Sequence, residues 1–330
     1  MSAISEDKVI ILAEVDEGSG LSRLSRELVG VAARLASETG AILEAIVLGS
    51  GIEAAARELI SLGVRKVFTA DHPSLAEYNP DTYQAVLEDQ LRESGPLTLL
   101  AGHTSLAQDL LPRVAAAFGA GLVTDCVGVE TAGGNPVFIK PVFGGNAVAR
   151  LDVTTPLRMA TVRARVSAAP EAATSAEGEV ISLEPRGVEP RVRVMESVKE
   201  QGSVRLETAG VVVAGGRGIG GGDGFDRLGE LADLLGGAVG ASRPPCDSGW
   251  MPSTSQVGIT GKIVAPDLYV AVAISGSSQH LSGMSESVKI VAVNQDADAY
   301  IFKVADYGVA GDWKQVIPAV TESLRKHLSS

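Results

Sequence analysis

The chain alternates short, almost wholly apolar runs with amphipathic segments of helical period, and nothing else in it constrains the fold as much. Residues 9–15 read as a buried strand, and residues 21–39 as an amphipathic helix closed by Gly40. A strand at 41–48, a helix at 53–62 closed by Gly63 and a strand at 64–69 repeat the unit. A fourth strand at 97–102 precedes a helix at 106–118 that carries Pro112 inside it. Strands apolar on both faces, each followed by a helix, imply a mainly parallel sheet covered on both sides, an α/β fold. The composition agrees: 45% of residues are hydrophobic, only 4% aromatic and 38 are glycine, so close packing must run through small side chains.

The pattern changes between 122 and 166, where 138–146 and 159–163 read as antiparallel strands. A solvated loop at 168–178 and one strand-like piece at 191–195 follow. At 330 residues the chain exceeds one comfortable core. A boundary near Leu206 divides an N-terminal α/β domain, 1–203, from a C-terminal one, 204–330. The second domain restarts the alternation, with strands at 210–214, 238–241, 268–274 and 289–293, a helix at 225–235 and a final helix at 313–327.

Several classes are excluded. A formal net charge of −12 argues against a nucleic-acid surface, which needs a clustered basic face. Cys126 and Cys246 lie far apart without a Cys-x-x-Cys, which suits a reduced, cytoplasmic protein without a zinc or iron–sulfur cluster. The N-terminal residues do not form a signal peptide, and no run of some 18 apolar residues spans a membrane. His72, His103, His280 and His327 lack metal-ligand spacing.

The chemistry concentrates in the second domain. Gly216, Gly218 and Gly221 match the G-x-G-x-x-G spacing after a strand, where glycines bring backbone close to a pyrophosphate. A nicotinamide-binding unit would place an acid about 20 residues on, at the end of the next strand. Arg243 stands there instead, and the loop 220–224 delays the following helix. Arg243 is either a ligand cation or a surface arginine pairing with Asp247. Residues 256–261, 275–280 and 294–296 also fall at strand ends or turns, so polar groups converge on one crevice, the ordinary geometry of a dinucleotide site. His280 alone reads as a structural histidine or a helix cap. Asp306 and Asp312 read as helix caps and Cys246 as a packed thiol. No nucleophile elbow or acid–base pair accompanies the crevice. An NAD-dependent dehydrogenase and a plain nucleotide-binding module stay open on these residues.

The segments 252–266, 268–269, 274–284, 290–296 and 304–308 resemble the alpha subunit of electron transfer flavoproteins (the FixB family) throughout the second domain. Residues 110–116, 124–125, 144–146 and 161–163 match it more loosely in the first. The resemblance implies a Rossmann-like FAD-binding domain and a heterodimer with a beta subunit that carries AMP or, in electron-bifurcating members using NADH, a second FAD. It further implies acyl-CoA-type dehydrogenases of fatty acid β-oxidation as electron donors and a quinone reductase as acceptor. Carried over by position, Arg243 lies over the flavin ring with Ser242 beside it. Thr260 bonds at the N5 edge, and Gln256, Val257 and Gly258 shape that turn. His280 faces the C2 carbonyl side. Ser275, Gly276, Ser277, Ser278 and Gln279 hold the pyrophosphate, and Arg217, Asn294 and Asp312 serve the phosphate and adenosine end, with Trp313 in the same set. Ala273, Ser282 and Tyr300 depart from the family's usual glycine, alanine and proline.

Overall fold

Ile10 and Ile11 are neighbours on one strand, so their side chains point to opposite faces, yet both are fully buried. Only a strand covered on both sides can bury both, and each side chain so buried stabilises by roughly 1.5–3 kcal/mol. In the computed structural model Ile11 packs with Leu28 and Val29 on one face, and Ile10 with Val86, Leu87 and Leu110 on the other. The structure describes residues 7–16, 20–92, 94, 97–143, 145, 147–173, 176–185, 187, 189–195, 205–207 and 209–328. The expected boundary at 203/204 and the motif residues Gly144 and Asn146 lie outside them.

The chain divides into two compact units, Met1–Ser197 and Val198–Ser330. In the first, β1 (Lys8–Ala13), α1 (Arg23–Thr39), β2 (Ile42–Gly49), α2 (Glu53–Ser61), β3 (Lys66–Asp71), α3 (Pro80–Arg92), β4 (Leu97–Gly102) and α4 (Ser105–Phe118) form the expected alternation. Local signals set the ends: Ser22 and Thr104 accept from the N–H groups of Ser25 and Ala107, and Gly40 closes α1 in the left-handed region at φ 72°. Then follow β5 (Gly121–Cys126), β6 (Gly128–Ala132), β7 (Asn135–Val142), β8 (Ala147–Asp152), β9 (Leu157–Val162) and β10 (Glu179–Ser182). The seven-stranded sheet runs β10-β3-β2-β1-β4-β9-β5, and β6-β7-β8 form a separate sheet.

Two expectations need correction here, and one helix stands where the sequence reading has no element. Of the strand expected at 138–146, residues 138–142 lie in β7, which is antiparallel as expected, but the stretch at 159–163 is not antiparallel: β9 pairs parallel with both β4 and β5 inside the main sheet. Residues 191–195 form no strand; Arg191 is instead tied to Asp81, and the Val192 carbonyl accepts from Asn79. The helix α3 has no counterpart in the sequence reading, although Tyr83, Val86, Leu87 and Leu91 bury one helical stripe.

The second unit holds β11 (Val211–Gly215), α5 (Gly222–Leu234), β12 (Ala238–Ala241), α6 (Arg243–Asp247), β13 (Leu268–Val272), α7 (Ser278–Leu281), β14 (Lys289–Asn294), β15 (Tyr307–Ala310) and α8 (Trp313–Leu328). Its sheet is parallel throughout, in the order β12-β11-β13-β14-β15. Val270 and Val272 face α5 and α8, while Tyr269 and Ala271 face the opposite core. α5 starts at Gly222, three residues before the expected start, because a 3-10 turn at Arg217–Ile219 takes up the fingerprint loop. Both units thus carry parallel sheets flanked by helices. No described helix is long and apolar enough to cross a membrane.

Candidate cofactor site

From β11 the chain moves outward to β12, then returns to place β13 on the other side of β11. Such a reversal leaves a gap between the loops that follow the two strands, and ligands of open α/β sheets bind there. A crevice of about 480 Å³ opens at that point, lined by Gly216, Arg217 and Gly218 after β11 and by Ala273, Ile274, Ser275, Gly276 and Ser277 after β13. Ser242, Pro244, His280, Asn294, Gln295, Gly311 and Trp313 complete it. The volume falls in the range of cofactor pockets.

Backbone packs tightly around this gap. A Cβ on Gly216 would lie 2.0 Å from the Ala273 carbonyl oxygen, and one on Gly276 would lie 2.5 Å from the Ile301 nitrogen. Gly276 also takes φ 85°, which a side chain would resist. Ala273 itself sits at φ 53°, where an alanine costs about 1 kcal/mol relative to glycine. Asn294 Nδ2 donates to the Ile274 carbonyl at 2.9 Å, and Trp313 Nε1 to the Gly218 carbonyl at 3.2 Å, so each loop is braced from a neighbouring element. Ser242 and Ser277 both precede short helical turns with extended backbone, yet neither hydroxyl caps its turn. Those hydroxyls, with exposed Ser275 and Arg217, suit an anionic ligand.

Two family models match the chain: the electron transfer flavoprotein domain over residues 9–186 and the electron transfer flavoprotein FAD-binding domain over 205–285. The electron transfer flavoprotein subunit alpha of Bacillus subtilis (strain 168) is 41% identical over 97% of this chain and 98% of that protein. The subunit alpha of Megasphaera elsdenii is 42% identical over 96% of each. The lactate dehydrogenase (NAD(+),ferredoxin) subunit LctC of Acetobacterium woodii is 36% identical over 88% of this chain and 71% of that protein. The chain belongs to the electron transfer flavoprotein alpha-subunit family.

Of the residues that this family resemblance singles out, the crevice gathers Arg217, Ser242, Ser275, Gly276, Ser277, His280, Asn294 and Trp313. Ser278 and Gln279 follow on the exposed first turn of α7. Asp312 lies before α8, where its Oδ1 accepts from the Lys314 N–H at 3.0 Å: it is a helix cap. Asp306 is not a cap; it accepts from the Ile290 N–H and pairs with Lys289. Arg243 stands beyond the end of β12, outside the crevice lining, and its Nε donates to Asp247 at 3.1 Å across one helical turn. The surface-pair geometry therefore holds, at a strand end where a ligand could still meet the guanidinium.

Gln256, Val257, Gly258 and Thr260 belong to a tight turn docked on β12. Val257 N–H donates to the Ala241 carbonyl at 2.8 Å, and Gln256 Nε2 to the Thr260 hydroxyl at 2.9 Å. His280 is buried between that turn and β13. Its Nδ1 lies 3.1 Å from the Val257 carbonyl and its Nε2 2.9 Å from the Tyr269 hydroxyl. Burial pushes its pKa down to about 4, so the ring is neutral at pH 7.

The residues that the family resemblance carries over omit Gly216, Gly218, Ala273, Ile274, Gln295, Pro244 and Gly311, of which the strand-end and fingerprint reading already includes Gly216, Gly218 and Gln295. Gly216 and Gly218 carried a readable signal in the fingerprint spacing, and Ala273 and Ile274 in the apolar run that turns abruptly to Ser-Gly-Ser. Pro244 and Gly311 carried none. Cys246 donates to the Pro252 carbonyl, and burial raises its pKa, in keeping with a packed thiol. Among the described residues no group of three His, Cys, Asp or Glu could hold a metal ion.

Proposed function

We propose that this chain is the FAD-binding alpha subunit of a two-subunit electron carrier. The observation that carries the reading is the coincidence of a backbone-walled crevice at the β11/β13 switch point with the stretch that the family's FAD-binding model matches. In this reading Ser275, Gly276, Ser277, Ser278 and Gln279 hold the pyrophosphate, and Arg217, Asn294, Asp312 and Trp313 the phosphate and adenosine end. Ser242, Arg243 and the turn through Gln256, Val257, Gly258 and Thr260 embrace the isoalloxazine end. FAD supplies the redox chemistry when bound. The chain's contribution is to orient it and to place the Arg243 charge where reduction adds an electron. A unit charge about 4 Å away is worth roughly 4 kcal/mol at an effective dielectric of 20. Solvent and Asp247 leave only part of that at Arg243, whose side chain is 66% exposed.

The partner in this reading is a beta subunit carrying AMP. Electrons come from acyl-CoA-type dehydrogenases and leave to a quinone reductase. The exposed apolar side chains Phe143, which follows β7, and Val148 on β8 support a partner-facing surface on the first unit. A second reading, favoured by the likeness to the Acetobacterium woodii subunit, is a bifurcating assembly that takes electrons from NADH through a second FAD in the beta subunit. Flavin quantitation on the protein purified with its partner tests both. One FAD per assembly supports the relay and two support bifurcation, while a colourless protein that takes up no added FAD refutes the proposal.

A further inference from the structure

The first described residues of the second unit, 205–207, lie ahead of β11, and Leu206 and Glu207 both reach the turn that carries Thr260. Leu206 is 7% exposed, in one core with Val257 and Val264. Leu206 and Val257 converge over Gly240 of β12, where a Cβ would stand 3.0 Å from Val257 Cγ2 and 3.4 Å from Leu206 Cδ2. Glu207 forms an ion pair with Lys262, which closes the turn.

That turn is a closed loop. Lys262 N–H donates to the Gln256 carbonyl at 2.7 Å, and Gly258 N–H donates to the Lys262 carbonyl at 3.1 Å. Gly261 admits no side chain, because its Cβ would lie 2.3 Å from the Gln256 carbonyl oxygen. With its ends joined, the loop can shift on the sheet as one piece. Thr260, exposed on it and bonded to Gln256 Nε2, would shift with it. Two backbone bonds seat the loop, Val257 N–H on the Ala241 carbonyl and Ile259 N–H on the Gln279 carbonyl, both at 2.8 Å. Leu206 and Glu207 add a hold from outside both of those elements.

We infer that Leu206 and Glu207 are positioning residues: the segment that leads into β11 seats the 256–262 turn and so sets where Thr260 stands. The two grips differ in kind. The Glu207–Lys262 pair leaves its side chains 42% and 34% exposed, so water and salt weaken it, and it fixes direction more than it adds strength. Leu206 supplies the strength, since removing a buried side chain leaves a void that its neighbours fill only in part. For the flavin the consequence rests on the reading proposed above: the chain arriving from the first unit touches the half of the site assigned to the isoalloxazine. The seating of the turn does not depend on that reading.

Hydrogen–deuterium exchange on the flavin-containing assembly tests this, with Leu206→Ala and Glu207→Gln compared against the unmodified chain. Amides in 256–262 should exchange about tenfold faster in Leu206→Ala and about two- to threefold faster in Glu207→Gln, with β13 and β14 little changed. The flavin's visible absorption band should shift in Leu206→Ala, which a contribution to stability alone would not bring about. Unchanged exchange at 256–262, or equal acceleration across β13 and β14, would overturn the inference. A faster turn beside an unmoved flavin band would overturn the part that concerns Thr260. If Leu206→Ala fails to fold, Leu206→Val and Glu207→Gln are judged by the same criteria. A protein that purifies without flavin would defeat the FAD reading, and exchange in the flavin-free assembly would then decide the seating by itself.

Discussion

Replacing Gly216 with alanine should damage the second unit more than the same change at any other glycine of the fingerprint loop that has open space around it. The backbone there has φ −99° and ψ −178°, which alanine adopts freely, so conformational strain is not the cause. The cause is contact. The new Cβ would sit 2.0 Å from the Ala273 carbonyl oxygen, 2.6 Å from its carbon and 2.9 Å from the Ile274 Cα, all backbone atoms that cannot swing aside. The loops after β11 and β13 would have to part by more than an ångström, stretching the hydrogen bond from Gly216 N–H to the Val272 carbonyl, now 2.8 Å. Overpacking of this kind costs about 1–3 kcal/mol and a lost buried hydrogen bond about 1 more, so we expect roughly 2–4 kcal/mol. Two controls separate the contact from other effects. Gly220, at φ 90° with nothing within 4 Å of its Cβ position, should cost about 1 kcal/mol as alanine through backbone strain alone. Gly229, inside α5 and equally open, should stabilise as alanine by about 0.5–1 kcal/mol. The assay is denaturant unfolding followed by tryptophan fluorescence. Trp250 and Trp313 are the only tryptophans and both lie in the second unit, so the signal reports on that unit alone. A Gly216→Ala cost no greater than that of Gly220→Ala would refute the reasoning, because the crevice walls would then not be in backbone contact.

Three further outcomes can be checked. Arg243→Ala should lower the potential at which the bound flavin takes its first electron by about 30–60 mV, roughly 0.7–1.4 kcal/mol after allowing for solvent; potentiometric titration reads it, and an unchanged potential would remove Arg243 from the site. Glu14 is half-buried, and its loss of hydration raises the carboxyl pKa from the usual 4.5 to about 7. The folded state therefore favours the protonated form: the stabilisation is full below about 4.5 and is lost as pH rises through about 7. Glu14→Gln should flatten that slope in thermal or denaturant unfolding and gain about 1–2 kcal/mol at pH 8. Trp313→Phe should lose the bond to the Gly218 carbonyl, costing about 1 kcal/mol and weakening FAD retention measured by ultrafiltration.

Much of this architecture is written locally. Runs such as Val9 to Ala13 are apolar on both faces because both faces are covered, and Ser22, Thr104, Gly40 and Gly119 mark helix ends with the chemistry those ends need. The direction of β9 is not local. Its Val, Thr and Met content suits either pairing, and only the position between β4 and β5 makes it parallel. Residues 191–195 alternate Arg with Val and so imitate a strand, while Arg191 is in fact drawn to Asp81 more than 100 residues away. β15 is exposed along its whole length, so no buried face announces it. In the site, the glycine spacing and the abrupt Ile-Ser-Gly-Ser turn reveal the crevice because close backbone approach demands those residue types. The state of His280 does not show in the sequence, since it depends on Tyr269 and Val257 coming together from 11 and 23 positions away. Arg243 and Asp247 are legible as an i,i+4 pair.

Hydrogen–deuterium exchange with and without FAD, on the deflavinated full chain with its partner, tests the central claim most directly. Binding at the β11/β13 switch point predicts protection concentrated in 216–219, 242–243, 256–260 and 273–280, with the remainder of the second unit's sheet little changed. Protection confined to the first unit, or none at the loops after β11 and β13, would place the cofactor elsewhere and contradict the account.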